Sequence, residues 1–276
     1  MLHKYVRTPH IEGSKFQHGD SDMDAVPFSE LRGKHLVIEE KIDGANAGIS
    51  FEDNELKLQS RGHYLRGGPR EKQFELLKQW AATHEETLYE VLRERYVMYG
   101  EWMFATHTIA YDLLPHYFME FDVLDKETGK FLSTPARDTL LRDDRLPMRI
   151  EPVRVMGVGY VGSLAELRGM VGRSKFVSDD IARNTIAAVE RSQFGKQCAT
   201  ELELDGLIRS TFYVGPTMEG LYVKWEEDGE VKGRYKFVRD SFVSHVAGAE
   251  EHWHDRPIVQ NGLVEGGLDA MFSMET

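Results

Sequence analysis

The chain has 276 residues, of which 41% are hydrophobic and 29% charged, a composition typical of a globular protein with a sizeable core. Its net charge of −12 argues against a protein that coats nucleic acid or an anionic membrane through bulk electrostatics. The single cysteine, Cys198, cannot form an intramolecular disulfide or a multi-cysteine zinc site, which favours a reducing compartment. Because no stretch approaches about 18 consecutive apolar residues and the N-terminus has no apolar segment, we expect a cytoplasmic protein without a membrane span.

The first half of the chain carries strand and helix patterns in turn. Apolar and polar positions alternate over residues 35–60, with turn signals at Asp43-Gly44 and Asp53-Asn54, which predicts a β-meander. Helical spacing of apolar residues over 73–96 predicts two helices that break near Thr83-His84. Two further strands are predicted at 96–104 and 117–124.

The second half continues without the regular strand-helix alternation that would indicate a parallel sheet. The predicted elements are a short helix after Pro135, a strand over 151–162, helices over 163–171 and 178–191, and strands over 220–226 and 232–238 joined by the turn Glu227-Asp228-Gly229. We therefore expect an α+β fold with mainly antiparallel sheets flanked by helices. We expect one domain over 1–244 and a C-terminal tail or small appendage over 245–276.

Two basic stretches stand out against the acidic background. A charge run is more often a solvated face than a phosphate site, so any nucleic-acid contact must be local. The stretches contain Lys57, Arg61, Arg66, Arg70 and Lys72 in the first third, and Lys224, Lys232, Arg234, Lys236 and Arg239 near the end.

The most specific local feature is the string Lys41-Ile42-Asp43-Gly44, which places a lysine between an apolar strand and a tight turn. It is either a surface lysine beside a turn or a lysine nucleophile. A nucleophilic lysine must be neutral, and its ordinary pKa of about 10.4 leaves very little neutral amine at pH 7. Such a site needs neighbouring cations or a metal to lower that pKa, and carboxylates to hold the metal.

Five further segments follow in order, and together the six resemble the covalent nucleotidyltransferases, namely ATP-dependent RNA and DNA ligases and mRNA capping enzymes. The resemblance is strongest to ATP-dependent RNA ligases, and it implies a ligase-type nucleotidyltransferase fold in which residues 1–244 form the adenylyltransferase domain. The segments are Lys41-Ile42-Asp43-Gly44, Ser60-Arg61-Gly62, Tyr99-Gly100-Glu101-Trp102, Tyr117-Phe118-Met119-Glu120-Phe121-Asp122-Val123, Glu219-Gly220-Leu221-Tyr222-Val223-Lys224 and Arg234-Tyr235-Lys236-Phe237.

The resemblance implies a role for each matching residue. Lys41 would accept AMP, and the basic pair Arg234 and Lys236 would contact the α-phosphate. Phe118 would stack on adenine or, alternatively, belong to the core. Further nucleotide-binding residues are Glu40, Arg61, Glu101 and Lys224, the residues assigned to nucleic acid are Asn46, Arg66 and Arg70, and the metal ligands are Glu219 and Glu101. The family usually has a lysine where Arg234 stands, and Asp205-Gly206-Leu207-Ile208-Arg209 competes with the segment that begins at Glu219.

The cofactors implied are ATP and Mg²⁺, with Mn²⁺ as an alternative, because carboxylates are hard oxygen ligands suited to such ions. The substrates implied are RNA ends with a 5′-phosphate and a 3′-hydroxyl, in RNA repair and with an end-healing kinase or phosphatase as a partner. A minimal DNA ligase and a non-catalytic nucleotide-binding module remain alternatives. Since only some 35 residues follow Arg239, we expect no OB domain, which disfavours a capping enzyme.

Histidines offer a separate metal-site hypothesis. Without further cysteines or a helical His-x-x-x-His pair, a structural or surface role is favoured over zinc binding. The residues concerned are His63, His107, His116, His252 and His254.

Overall fold

The structure, a computed structural model, describes residues 2–16, 24–142, 148–248 and 257–273. Ten strands form one continuous sheet in the order β3-β2-β4-β5-β6-β10-β9-β1-β8, and β7 pairs with β5 beside this path. All pairings are antiparallel except that of β7 with β5. The strands are β1 (Leu36–Lys41), β2 (Ala45–Glu52), β3 (Glu55–Ser60), β4 (Tyr96–Trp102), β5 (Phe118–Asp125), β6 (Lys130–Leu132), β7 (Glu151–Pro152), β8 (Val155–Gly159), β9 (Gly220–Glu227) and β10 (Glu230–Val238).

Eight α-helices accompany the sheet within the described ranges. They are α1 (Glu75–Thr83), α2 (Glu85–Leu92), α3 (Thr134–Leu141), α4 (Leu164–Gly169), α5 (Ile181–Arg191), α6 (Glu201–Thr211), α7 (Asp240–Gly248) and α8 (Gly267–Phe272). None of the helices in these ranges is long and apolar enough to cross a membrane. The predicted α+β fold with mainly antiparallel pairing is confirmed.

The meander, the two-helix pattern and the last hairpin are also confirmed. Strands β1 to β3 occupy the predicted 35–60 segment, α1 and α2 separate at His84, and β9 and β10 form a hairpin whose turn places Asp228 and Gly229 at positive φ. The predicted strand over 151–162 is instead two short strands, β7 and β8, that pair with different partners.

Helix α6 is an element that the sequence patterns did not predict. Thr200 caps its first turn and forms a reciprocal capping box with Glu203. Asp205 and Gly206 lie inside this helix, so they do not form the competing metal-binding segment.

The described C-terminal residues 257–273 contact the rest of the chain, and the proposed division at residue 244 stays a prediction. Helix α7 runs across the predicted boundary at residue 244, and Met271 is part of the main hydrophobic core. His84 bonds through its Nε2 to the backbone carbonyl of Met271.

The chain crosses from one part of the sheet to another directly after Lys41. β1 pairs with β8 and β9, whereas β2, the next strand along the chain, pairs with β3 and β4. One group of strands is therefore β8-β1-β9-β10 and the other β3-β2-β4-β5, with the three-residue β6 joining them. Lys41 lies at the crossing point, where side chains from both groups can meet.

Candidate active site

A cavity of about 430 Å³ lies at this crossing point. Both strand groups and the N-terminal segment contribute to its wall. Its lining residues are Tyr5, Arg7, Thr8, Glu39, Glu40, Lys41, Ile42, Asn46, Arg61, Glu101, Phe121, Val153, Glu219, Tyr222, Lys236 and Val238. The fold thus brings together seven of the residues predicted from sequence: Glu40, Lys41, Asn46, Arg61, Glu101, Glu219 and Lys236.

Lys41 forms an ion pair with Glu219 across the strand pair β1–β9. Lys41 Nζ lies 2.7 Å from Glu219 Oε2, and the two side chains are 26% and 2% exposed. Gly220, which follows Glu219, pairs with Lys41 in the β1–β9 register and with Val238 in β10. A Cβ at Gly220 would lie 1.9 Å from the Phe237 carbonyl oxygen, so only glycine permits this close strand packing.

The turn after Lys41 is fixed by its own aspartate. The Asp43 carboxylate accepts hydrogen bonds from the backbone N–H groups of Thr108 and Ile109 at 2.7 and 2.9 Å. The Gly44 N–H donates to Glu101 Oε1 at 3.2 Å, and a Cβ at Gly44 would lie 2.7 Å from the Trp102 carbonyl oxygen. Asp43 and Gly44 therefore hold the turn rather than contribute groups to the cavity.

The electrostatics of the cavity differ from the sequence-based expectation that cations lower the pKa of Lys41. Burial alone would lower that pKa, but Glu219, Glu101 and Asp43 outweigh burial and raise it. Burial raises the pKa of both Glu101 and Glu219 to about 7, although Lys41 opposes the shift. The ammonium form of Lys41 is therefore stabilised until the carboxylates are neutralised by another charge.

Three side-chain oxygens on the cavity wall lack a hydrogen-bond partner among the described residues, and one of them, Glu39 Oε2, lies 2.8 Å from Lys224 Nζ in an ion pair. Glu40 Oε1 and Asn46 Oδ1 are both buried and unpaired. Glu40 Oε2 accepts from the Lys175 N–H at 3.4 Å and lies 3.8 Å from Arg154, and burial raises the pKa of the Glu40 carboxyl. Since an unpaired buried acceptor is costly, these atoms fit a ligand that supplies hydrogen-bond donors.

Phe118, predicted either to stack on adenine or to belong to the core, does not line the cavity and lies in the core. The ring is 1% exposed and stacks on Trp80 in the core, with centroids 5.6 Å apart. It fills the space above Gly100, where a Cβ would lie 2.6 Å from its Cζ. Phe121, three residues along β5, is the aromatic residue of this strand that lines the cavity.

Lys224, predicted to bind the nucleotide, also lies outside the cavity wall. Its side chain has no exposed surface and its Nζ lies 2.8 Å from Glu39 and 3.2 Å from Asp122. Arg137 of α3 completes the group by donating to Glu120 at 2.7 Å and to Glu39 at 2.9 Å. We call these five residues, Glu39, Glu120, Asp122, Arg137 and Lys224, the buried ionic network.

Arg234, predicted to contact the α-phosphate, is likewise not among the residues that line the cavity. Its side chain is 14% exposed, and its guanidinium lies 3.6 Å from the centre of the Phe131 ring and 3.6 Å from Asp122. Lys236 lies two residues further along β10 and does line the cavity. Of the predicted basic pair, only Lys236 reaches this site.

The other residues considered from the sequence either lie away from the cavity wall or lie outside the described part of the chain. Arg66 is exposed and lies over the Tyr64 ring, 5.9 Å from its centre. The Arg70 side chain, His252 and His254 lie outside the described part of the chain. Groups of three or more His, Cys, Asp or Glu side chains arranged to hold a metal do not occur in the described ranges.

Sequence reasoning missed Phe121 and the three N-terminal residues Tyr5, Arg7 and Thr8. Phe121 belongs to the same segment of β5 as Phe118, but which of the two lines the cavity depends on which face of β5 meets it. The N-terminal residues carry no periodic pattern, and they reach the cavity only through long-range contacts.

Comparison with known proteins assigns the chain to a family. A family model described as RNA ligase matches residues 34–238. The chain belongs to the RNA ligase family. Among curated protein sequences, no significant match was found.

Solved structures of Naegleria gruberi RNA ligase variants share the fold of this RNA ligase family member. An apo structure is 15% identical with a TM-score of 0.50 and covers 79% of this chain and 52% of that chain. A complex with ATP and Mn and a complex with AMP and Mn are each 16% identical with a TM-score of 0.51, covering 87% of this chain and 62% of those chains. The chain thus spans about half to three fifths of the length of these relatives.

Proposed function

We propose that this protein is an ATP-dependent RNA ligase that joins 5′-phosphate and 3′-hydroxyl ends through a lysyl-AMP on Lys41. The observation that carries the proposal is the ion pair between Lys41 and Glu219 in a cavity that also contains Glu101, Arg61 and Lys236. This set combines a nucleophile, metal-binding carboxylates and phosphate-binding cations. A surface lysine beside a turn has no reason to lie near the buried carboxylate of Glu219 and the half-buried carboxylate of Glu101.

The cavity wall fits an adenine nucleotide and a divalent metal. The unpaired acceptors Glu40 Oε1 and Asn46 Oδ1 can accept hydrogen bonds from a base amino group or a ribose hydroxyl, and Phe121 offers a ring face. Glu101 and Glu219 are the residues that would hold Mg²⁺ or Mn²⁺. When bound, such an ion would supply positive charge to phosphate oxygens. It would also neutralise the Glu101 and Glu219 carboxylates, which stabilise protonated Lys41. The ATP and Mn in the Naegleria gruberi complexes support this assignment.

In the first step the neutral Lys41 amine attacks the α-phosphorus of ATP. A nitrogen–phosphorus bond forms, the bond to the pyrophosphate leaving group breaks, and the lysine loses one proton. Negative charge builds up on the phosphate oxygens, and Lys236 and Arg61 are placed to stabilise it. The Lys41 side chain remains partly exposed at 26%, so a ligand in the cavity can reach it.

In the next two steps AMP passes to the RNA. The 5′-phosphate attacks the phosphorus of the lysyl-AMP, the nitrogen–phosphorus bond breaks to release Lys41 as an amine that regains a proton, and a 5′–5′ pyrophosphate linkage forms. A 3′-hydroxyl then loses its proton, attacks the 5′-end phosphorus and displaces AMP to form a phosphodiester. Asn46, beside Glu101 in the β2–β4 register, is the residue assigned to the RNA end. We place the RNA along the basic segment of the chain that contains Arg61, Arg66 and Arg70, so binding should weaken steeply with salt. Such chemistry suits repair of RNA whose ends a kinase or phosphatase has prepared.

The test uses two RNA strands, one with a 5′-phosphate and one already carrying a 5′-adenylate. Wild-type protein should seal the first strand with ATP and a divalent metal, and the second strand without ATP. Lys41→Ala should lose sealing of the 5′-phosphate strand yet retain sealing of the pre-adenylylated strand. Equal sealing of DNA ends would indicate a DNA ligase. Failure of the wild-type protein to seal either strand, with retained ATP binding, would indicate a binding module and overturn the proposal.

A further inference from the structure

The residues before the family match close one side of the cavity. We call residues 3–11 the N-terminal strap. At its start the His3 carbonyl accepts hydrogen bonds from Gln59 Nε2 and the Tyr99 hydroxyl, both at 2.7 Å. The strap is thereby attached to β3 and β4.

The other end of the strap is attached to β10. The Lys236 N–H donates to the Pro9 carbonyl at 3.0 Å, and the Ile11 N–H donates to the Lys236 carbonyl at 2.9 Å. Lys236 is the cation of β10 that lines the cavity. The strap therefore connects the two strand groups and passes beside the phosphate-binding lysine.

The middle of the strap is attached to residues of β5 and β9. The Tyr5 hydroxyl bonds to Asp122 and to the Tyr222 hydroxyl, and its ring packs edge-on against Phe121 at 5.2 Å. Thr8 is buried and lies 3.4 Å from the Tyr222 hydroxyl. Arg7 lies between these two anchored residues, is exposed, and lines the cavity.

We propose that Arg7 is a phosphate-contacting residue of this site. The inference rests on the proposed function, because it needs a phosphate group in the cavity beside Lys41. An arginine guanidinium offers a rigid fork of N–H donors that matches phosphate oxygens, and it keeps its charge at every working pH. Anchors on both sides of Arg7 reduce the conformational freedom that the backbone must lose on binding. The phosphate belongs either to the ATP triphosphate or to the 5′-end of the RNA.

The experiment compares Arg7→Ala and Arg7→Lys with Lys4→Ala, a matched control because Lys4 is an exposed cation of the same strap that does not line the cavity. Thermal unfolding confirms that all variants fold. Two steps are measured on the full chain: lysyl-AMP formation across ATP concentrations, and transfer of AMP from the preformed lysyl-AMP to 5′-phosphate RNA.

If Arg7 contacts the triphosphate, Arg7→Ala should lower kcat/KM for lysyl-AMP formation by about 10- to 100-fold, with Arg7→Lys in between. If it contacts the RNA end, lysyl-AMP formation should be normal and transfer should fall by a similar factor. Lys4→Ala should change either step less than about twofold. If Arg7→Ala matches Lys4→Ala in both steps, the inference is wrong.

Binding of a non-hydrolysable ATP analogue separates this inference from the proposed function. If wild-type protein forms no lysyl-AMP but Arg7→Ala still weakens binding of the analogue relative to Lys4→Ala, the proposed ligase function fails and the phosphate contact stands. If wild-type protein forms lysyl-AMP and Arg7→Ala changes neither binding nor transfer, the contact fails and the ligase function stands.

Discussion

The buried ionic network and the cavity carboxylates use the same residue types on neighbouring strands, yet their charges are balanced differently. In the network, burial would raise the pKa of Asp122, but Lys224, Arg234 and Arg137 outweigh burial and lower it, whereas at Glu39 burial prevails over Lys224 and Arg137 and raises the pKa. In the cavity, burial prevails over Lys41 and raises the pKa of Glu219 to about 7. Charges that several cations surround stabilise one arrangement of strands, whereas a carboxylate paired with the cavity lysine Lys41 is also within reach of a ligand.

Arg137→Ala should have the largest effect, and it should act on stability. The change leaves Glu39 and Glu120 buried with too little positive charge, which costs about 3–5 kcal/mol of the free energy of unfolding. Urea unfolding measures this. The control is Arg209→Ala on α6, which breaks an exposed ion pair with Asp205 and should cost less than about 1 kcal/mol. Equal losses in the two variants would remove the distinction between network and surface pairs.

Glu219→Gln should show the opposite pattern. Lysyl-AMP formation should fall by about 100- to 1,000-fold, because a carboxylate that would hold the metal and faces Lys41 is lost. The free energy of unfolding should change by less than about 1 kcal/mol, since removing a poorly compensated buried charge offsets the lost ion pair. Glu190→Gln on the exposed side of α5 is the control. Stability loss with unchanged lysyl-AMP formation would place Glu219 with the network instead.

The gain in stability on adding a divalent metal should depend on pH, because the cavity carboxyls that would hold the metal titrate. Their folded pKa of about 7 exceeds the ordinary value of 4.5, so the folded state binds more protons, and their contribution to the free energy of unfolding decreases as pH rises from 4.5 through 7. Mn²⁺ binds the ionised carboxylates. A Mn²⁺ concentration of about 100 times its dissociation constant at pH 8 should therefore raise the free energy of unfolding by about 2.7 kcal/mol at pH 8, and the same concentration should raise it by less at pH 6.

Thermal unfolding at both pH values, with Mn²⁺ and after its removal by EDTA, measures this difference. Glu219→Gln should reduce it. Equal stabilisation by Mn²⁺ at pH 6 and pH 8 would mean that the metal does not bind these two carboxyls.

A pair of aromatic variants gives the smallest expected effect. Phe118→Leu should cost about 1 kcal/mol of stability by weakening the contact with Trp80, and it should leave the KM for ATP unchanged. Phe121→Leu should raise the KM for ATP severalfold because Phe121 lines the cavity. Each variant serves as the control for the other in thermal unfolding and in lysyl-AMP kinetics. The reverse result would restore Phe118 as the nucleotide-contacting residue.

The sequence predicted the parts of the site that depend on short-range patterns. Lys41 with its turn, Glu101 and Glu219 lie in segments whose glycines are required by close backbone packing, and the order of these short segments along the chain made them recognisable together. The meander and the last hairpin follow from alternation and turn residues, which are equally local.

The sequence could not predict features that depend on contacts between distant elements. Lys224 is withdrawn from the cavity because Arg137, on a helix remote in sequence, completes a network around Glu39. A register shift in β4–β5 at Tyr99 and Gly100 helps decide how Phe118 and Phe121 are placed, and no periodic pattern marks it. Helix α6 was missed because Asp205-Gly206-Leu207-Ile208-Arg209 was considered as a competitor of the segment that begins at Glu219, whereas the capping box at Thr200 favours a helix.

Above all, Lys41 should become covalently attached to AMP. The most direct measurement is mass spectrometry of the purified full chain after incubation with α-labelled ATP and Mg²⁺, followed by peptide mapping. We predict an adduct with the mass of AMP less one water, located on Lys41, reduced in Glu219→Gln and lost in Lys41→Ala. No adduct with ATP or GTP, or an adduct that persists in Lys41→Ala, would contradict the account.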